Sequence, residues 1–212
     1  MKKNIVLFVL FVLPIVAYLF FASGVNSFTK LPTLKTAVAE LPDWNTTAKQ
    51  PVKLTGKITV IAFPGAQLLK HRGNFFNLNE KIYRRYFEFK DLQFVYVCPT
   101  ETQDEVAAIF TALKPTTNLS GYKTVFASQE EIKRYFESYG ITEKLDSYAG
   151  TDKVFLIDKD RNLRGRKDDD EYKEGYSTFY PSELSNEMLD DFKILIYEYR
   201  AALKKNLPKR QI

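Results

Sequence analysis

Two apolar runs anchor the pattern of this chain. ITVIAF (Ile58 to Phe63) and LQFVYVC (Leu92 to Cys98) are nearly continuous, β-branched or aromatic, and the length of a buried strand. Runs without polar alternation suit a sheet covered on both faces. Between them Leu78, Ile82, Tyr86 and Phe89 recur at helical spacing. Strand, helix and strand in this order predict a parallel crossover. Downstream, Thr102-Gln-Asp-Glu105 reads as a capping box opening a helix with Val106, Ile109, Phe110 and Leu113 inward, stopped by Pro115. Tyr122 to Ala127 predicts a third strand. Ser128-Gln-Glu-Glu131 is a second capping box, for a helix carrying Ile132, Tyr135, Phe136 and Tyr139 and ended by Gly140. Lys153 to Asp158 predicts a fourth strand, joined through a turn at Lys159 to Arg161 to Asn162–Arg166 in a hairpin. An acidic loop, Asp168 to Glu174, follows. The last helix spans Ser182 to Lys205, with Leu184, Met188, Phe192, Leu195, Tyr199 and Ala202 in one stripe. Acids crowd its first turns and bases its last, as the helix dipole favours.

The N-terminal region departs from this pattern. After the cytoplasmic N-terminus 1–4, eighteen apolar residues run from Ile5 to Ala22. As a helix they would extend about 27 Å, close to a hydrocarbon core. Lys2 and Lys3 place the N-terminus in the cytoplasm and the body on the outer side. A cleaved signal peptide, with Ala22 and Gly24 as the small residues at the cut, is the rival; the apolar stretch is longer than a signal core, which favours a retained transmembrane anchor. Residues 23–51, with three prolines and no clear period, read as a tether, and its Trp44 packs on the body or sits near the interface. The body is 52–206, and 207–212 is a basic tail.

Composition removes whole classes of chemistry. One cysteine, Cys98, excludes an intrachain disulfide, a two-thiol redox centre and a multi-cysteine metal site. One histidine, His71, excludes a histidine-rich site. The net charge of +5 owes six positive charges to Lys2, Lys3, Lys204, Lys205, Lys209 and Arg210. The rest is close to neutral, which fits basic ends facing a membrane and gives no indication of nucleic-acid binding. Reactive groups of open sheets sit beyond the carboxyl ends of the strands. The turn to read is therefore Pro64 to Gly73, PGAQLLKHRG, which has no cysteine. There is no Gly-rich phosphate loop, and no serine lies in a nucleophile-elbow sequence.

Two crossovers, an antiparallel hairpin and a closing helix make up the layout of a thioredoxin-like α/β fold, a central mixed sheet flanked by helices. Within it, VFLIDKDRNLRGRKDDD and the closing helix ending EYRAALKKN resemble the C-terminal half of Sco/SenC proteins, over about Val52 to Asn206. The resemblance implies a membrane-anchored domain of Sco/peroxiredoxin type on the periplasmic side of the inner or cytoplasmic membrane, serving copper delivery in cytochrome c oxidase assembly. It also implies a metal site of two cysteines in the turn after the first strand and a histidine before the hairpin strand. Leu68, Arg72 and Gly150 fall near those positions, and none can hold Cu(I), which prefers thiolate and imidazole. The resemblance thus implies fold and compartment without the chemistry: no cofactor, no catalytic residue, no metal ligand, and a binding or assembly role toward a respiratory membrane complex. The alternative is a copper metallochaperone with displaced ligands, His71 and Cys98. A one-cysteine thiol enzyme at Cys98 is a further one.

Other candidates have plainer explanations. His71, between Lys70 and Arg72, reads as a solvated residue, and Cys98 as an inert strand-end hydrophobe. Asp158-Lys-Asp160-Arg-Asn162 resembles the start of a calcium loop, but Leu163 stands at the glycine position and Asp169 at the closing glutamate. A hairpin turn accounts for the same residues. Asp168, Asp169, Asp170 and Glu171 read as a solvated loop. Tyr172, Tyr176, Phe179 and Tyr180 are either a docking surface or the cover of a core edge.

Overall fold

The computed structural model describes residues 8, 10–16, 30–48, 50–168 and 171–206. Its centre is an eight-stranded mixed sheet. The strands are β1 (Thr33–Lys35), β2 (Asn45–Thr46), β3 (Ile58–Pro64), β4 (Leu92–Pro99), β5 (Tyr122–Ala127), β6 (Gly150–Ile157), β7 (Leu163–Arg164) and, beyond the small hairpin β8 (Arg166–Asp168) and β9 (Glu171–Lys173), β10 (Tyr176–Ser177). Their order is β1-β7-β6-β3-β4-β5-β2, with β10 also on β6. β3–β4 and β4–β5 are parallel; β3–β6, β6–β7, β6–β10, β1–β7 and β2–β5 are antiparallel. This is a thioredoxin-like arrangement, as the element order predicts.

Helix α1 runs Arg72–Leu78, through a π-helical turn Asn79–Tyr83, to a last turn Arg84–Tyr86. α2 is Gln103–Leu113 and α3 is Gln129–Glu137. α4 opens at Pro181–Glu183, passes a π-helical turn Leu184–Met188 and continues as Leu189–Asn206. Phe89 lies beyond α1, so the predicted helical stripe ends one turn early; Phe89 packs edge-on against Tyr199 of α4, 5.5 Å between ring centres.

The continuous apolar strands are explained by two cores. Val60, Ala62, Phe94, Tyr96, Val154 and Leu156 face α1, α2 and α4. Ile61, Phe63, Val95, Val97, Phe155 and Ile157 face α3. Each strand alternates between the two, so nearly every position is buried. Burying one such side chain contributes about 1.5–3 kcal/mol before entropy is counted.

The segment expected as a tether is packed chain from Leu31 onward. Leu31, Val38 and Leu41 are buried, and β1 and β2 close the two edges of the sheet. Arg164 holds the entry point. Its guanidinium donates to the Leu31 carbonyl and pairs with Asp158 at 3.0 Å and Glu198 at 2.8 Å, while the Leu31 N–H donates to Glu198. Trp44 packs on the body, edge-on to Tyr135 at 5.3 Å.

The two capping boxes differ. Ser128 and Glu131 cap α3 reciprocally. Thr102 instead donates to the Pro99 carbonyl, and Glu105 accepts from the Leu69 N–H across a loop. The expected box at Thr102 is therefore absent, because a tertiary contact takes its glutamate. Asp158 accepts from the backbone N–H of Asp160 and Asn162, and Arg161 is left-handed at φ 62°. These residues form the hairpin turn, not a calcium loop.

The proposed anchor, Ile5 to Ala22, lies largely outside the described residues. Within it, residues 10–16 are helical, with Leu10, Phe11, Leu13, Ile15 and Val16 exposed. No helix among the described residues is long and apolar enough to cross a membrane. The tail 207–212 also lies outside them, as do Asp169 and Asp170.

Candidate functional site

The carboxyl end of β3 and the start of β6 form one unit. Pro64 pairs with Gly150, and Ala66 N–H donates to the Tyr148 carbonyl at 3.0 Å. The Asp146 carboxylate accepts from the N–H groups of Tyr148 and Gly150, each at 2.8 Å. Gly65 is left-handed at φ 70°, and a Cβ on it would lie 2.7 Å from the Gly150 Cα. Only glycine allows this approach of two backbones.

Between this unit and the first turns of α1 lies a cleft of about 100 Å³. Its apolar wall is Ala62, Phe75, Leu78, Tyr96 and Val154, and its polar rim includes His71, Asn74, Asp146, Asp152 and Thr178. Phe75 stacks on Tyr96, 4.5 Å between ring centres. Tyr96 is 3 % exposed, and its hydroxyl has no hydrogen-bond partner among the described residues. Burial pushes its proton loss far above the usual phenol range. Asp152 accepts from the Ser177 hydroxyl, and its carbonyl accepts from both the N–H and the hydroxyl of Thr178. Thr178 in turn accepts from the Asn77 amide at 2.9 Å. Asp152 and the start of α1 are thereby tied together.

The positions that the Sco/SenC resemblance assigns to metal ligands surround this cleft without suiting a metal. Leu68 is fully buried, Arg72 is exposed at the first position of α1, and Gly150 is pressed against Gly65. A Cβ at Gly150 would sit 3.0 Å from the Pro64 carbonyl oxygen, so any side chain there would press on the backbone of the turn after β3. These residues do not fit a copper ion.

The displaced-ligand pair does not converge. His71 is exposed on the rim, while Cys98 is fully buried at the end of β4 and outside the cleft lining. Burial raises the Cys98 thiol far above the usual range, so it holds its proton and is a poor nucleophile. Among the described residues no three or more His, Cys, Asp and Glu side chains are placed to hold a metal ion.

The acidic loop is partly structural. Lys173 pairs with Glu183 at 2.8 Å and Glu187 at 2.6 Å, and Glu174 accepts from the backbone of Thr142 and Glu143. The aromatic run splits: Tyr176 is buried and donates to Asp191, whereas Tyr172, Phe179 and Tyr180 are exposed. Tyr96, Asp146 and Asp152 were not among the candidates from sequence. Tyr96 is hidden within an apolar strand, but the two aspartates flank Gly150 and could have been sought there.

No family model matches the sequence, and no curated protein matches it. Solved structures do. BsSco, described as a member of the Sco family of cytochrome c oxidase assembly proteins with a disulfide switch, shares 14% identity at a TM-score of 0.53, over 82% of this chain and 97% of its own. ScoI of Arabidopsis thaliana with copper bound shares 15% at 0.45, over 74% and 99%. The thioredoxin domain of a thiol-disulfide oxidoreductase from Bacteroides vulgatus shares 18% at 0.45, over 66% and 93%. The first likeness shows a thioredoxin-like fold of this chain; at these identities the likeness extends to fold alone.

Proposed function

We propose that this chain is a membrane-anchored, exported Sco/SenC-like domain that acts by binding, as an assembly factor for a respiratory membrane complex of the cytochrome oxidase type, without copper or thiol chemistry of its own. The observation that carries this is the turn after β3. Where the resemblance calls for two cysteines and a histidine stand a buried leucine, an exposed arginine and a glycine wedged against backbone. The sole thiol lies in the core. The exposed apolar side chains of residues 10–16 support the anchor, and Lys2 and Lys3 the outward-facing body.

The test is isolation of the full chain from native membranes under mild detergent. Subunits of a haem–copper oxidase should co-purify. Titration with Cu(I) against a competing chelator should give no stoichiometric uptake. Tight uptake lost in His71→Ala or Cys98→Ala would replace this reading with the metallochaperone.

A further inference from the structure

We infer that the cleft between α1 and β6 takes an alkylammonium group on a short aliphatic stem, of the kind a lysine side chain presents. The cleft has the two parts such a group needs. Ala62, Phe75, Leu78 and Val154 offer an apolar wall for methylenes. Asp146 and Asp152 line the same cleft, and among the described residues neither has a lysine or arginine within 4 Å. The neighbouring cation on the rim, Lys153, is held by Glu143 at 2.5 Å. The cleft therefore carries two carboxylates that no lysine or arginine among the described residues pairs, beside an apolar surface, with Lys153 of the same lining committed to Glu143. An incoming ammonium supplies a counter-charge with three donors.

Size and shape point the same way. A volume of about 100 Å³ is well below the ~300 Å³ at which drug-sized or cofactor ligands begin, so the occupant is a single small group. The carboxylates are also preorganised: Asp146 by the N–H groups of Tyr148 and Gly150, Asp152 by Ser177. Little order need be gained on binding.

This deepens the binding-factor reading and rests on it only for where such a lysine would come from. The chemistry of the cleft can be tested without the respiratory partner. The full chain in detergent, labelled with 15N, is titrated at pH 7 with n-butylamine, with a capped Gly-Lys-Gly peptide, and with the same peptide carrying norleucine. The two amines should shift the amides of Asn74, Phe75, Asp152 and Thr178, and the norleucine peptide should bind at least about fivefold more weakly. Asp152→Asn and Asp146→Asn keep the acceptor oxygens used within the fold and should each weaken amine binding by about fivefold, with an otherwise unchanged spectrum. Tighter binding of the lysine peptide than of butylamine assigns the group to a polypeptide; equal affinity assigns it to a free amine. Absence of shifts, or equal binding of lysine and norleucine peptides, overturns the inference while leaving co-purification with an oxidase as a separate result.

Discussion

Gly65 and Gly150 meet backbone to backbone, with a Cβ on Gly65 falling 2.7 Å from the Gly150 Cα. The contact joins the turn after β3 to the start of β6. Gly65→Ala introduces both that clash and an unfavourable left-handed conformation, and should cost about 2 kcal/mol or more. Gly150→Ala meets the Pro64 carbonyl at 3.0 Å and should also destabilise. Urea denaturation measures both; an unchanged midpoint for Gly65→Ala would mean that the two backbones are not in contact.

Arg164 neutralises two carboxylates, Asp158 and Glu198, while it is 7% exposed itself. Arg164→Ala leaves both acids in a poorly hydrated place and should cost about 3–5 kcal/mol. The N–H of Leu31 should lose hydrogen-exchange protection in the same variant, because its acceptor, Glu198, loses the charge that holds it.

Tyr96→Phe removes a buried hydroxyl that has no partner, and should leave stability unchanged or raise it by up to about 1 kcal/mol. Tyr83→Phe is the contrast. Its hydroxyl donates to the Asn118 carbonyl and accepts from the Gly121 N–H, so its loss should cost about 1–2 kcal/mol. Thermal unfolding of the pair distinguishes a satisfied from an unsatisfied hydroxyl.

Acid should weaken the fold partly through Asp91. Its carboxylate accepts from Lys159 at 2.8 Å and from the Tyr199 hydroxyl at 2.5 Å, and these bonds lower its pKa to about 2. A depressed folded pKa stabilises above the unfolded value of ~3.9, and that stabilisation is lost as pH falls toward 2. Asp91→Asn should flatten the stability profile between about pH 4 and pH 2. An identical slope in the variant would remove Asp91 as a cause.

Cys98 should resist alkylation in the folded chain and react fully once denatured, because burial both hides the thiol and keeps it protonated. Rapid modification of the native protein at neutral pH would restore the one-cysteine enzyme as a candidate.

The central strands were legible because Ile58 to Phe63 and Leu92 to Cys98 are buried on both faces, so burial shows directly in composition. Ser128 and Glu131 were legible because both partners of that cap are local. Thr33–Lys35 and Asn45–Thr46 were not: an edge pairing of two or three residues has no hydrophobic period, and its partners, β7 and β5, are far along the chain. Thr102 and Glu105 show the same limit, since a distant N–H on Leu69 outbids the local cap. Around the cleft, Leu68 and Gly150 were placed by resemblance, but Asp146 and Asp152 gain meaning only when the sheet brings them beside Phe75 and Val154.

The clamp on Leu31 fixes where the packed body begins, and so how long a leash the proposed anchor would leave. With an anchor ending at Ala22, as proposed, only nine peptide steps separate bilayer and body, a reach of at most about 30 Å. Under that proposal a domain so closely moored would not roam through the space outside the membrane. It would sweep a shallow shell over the lipid, within range of neighbours embedded in the same bilayer.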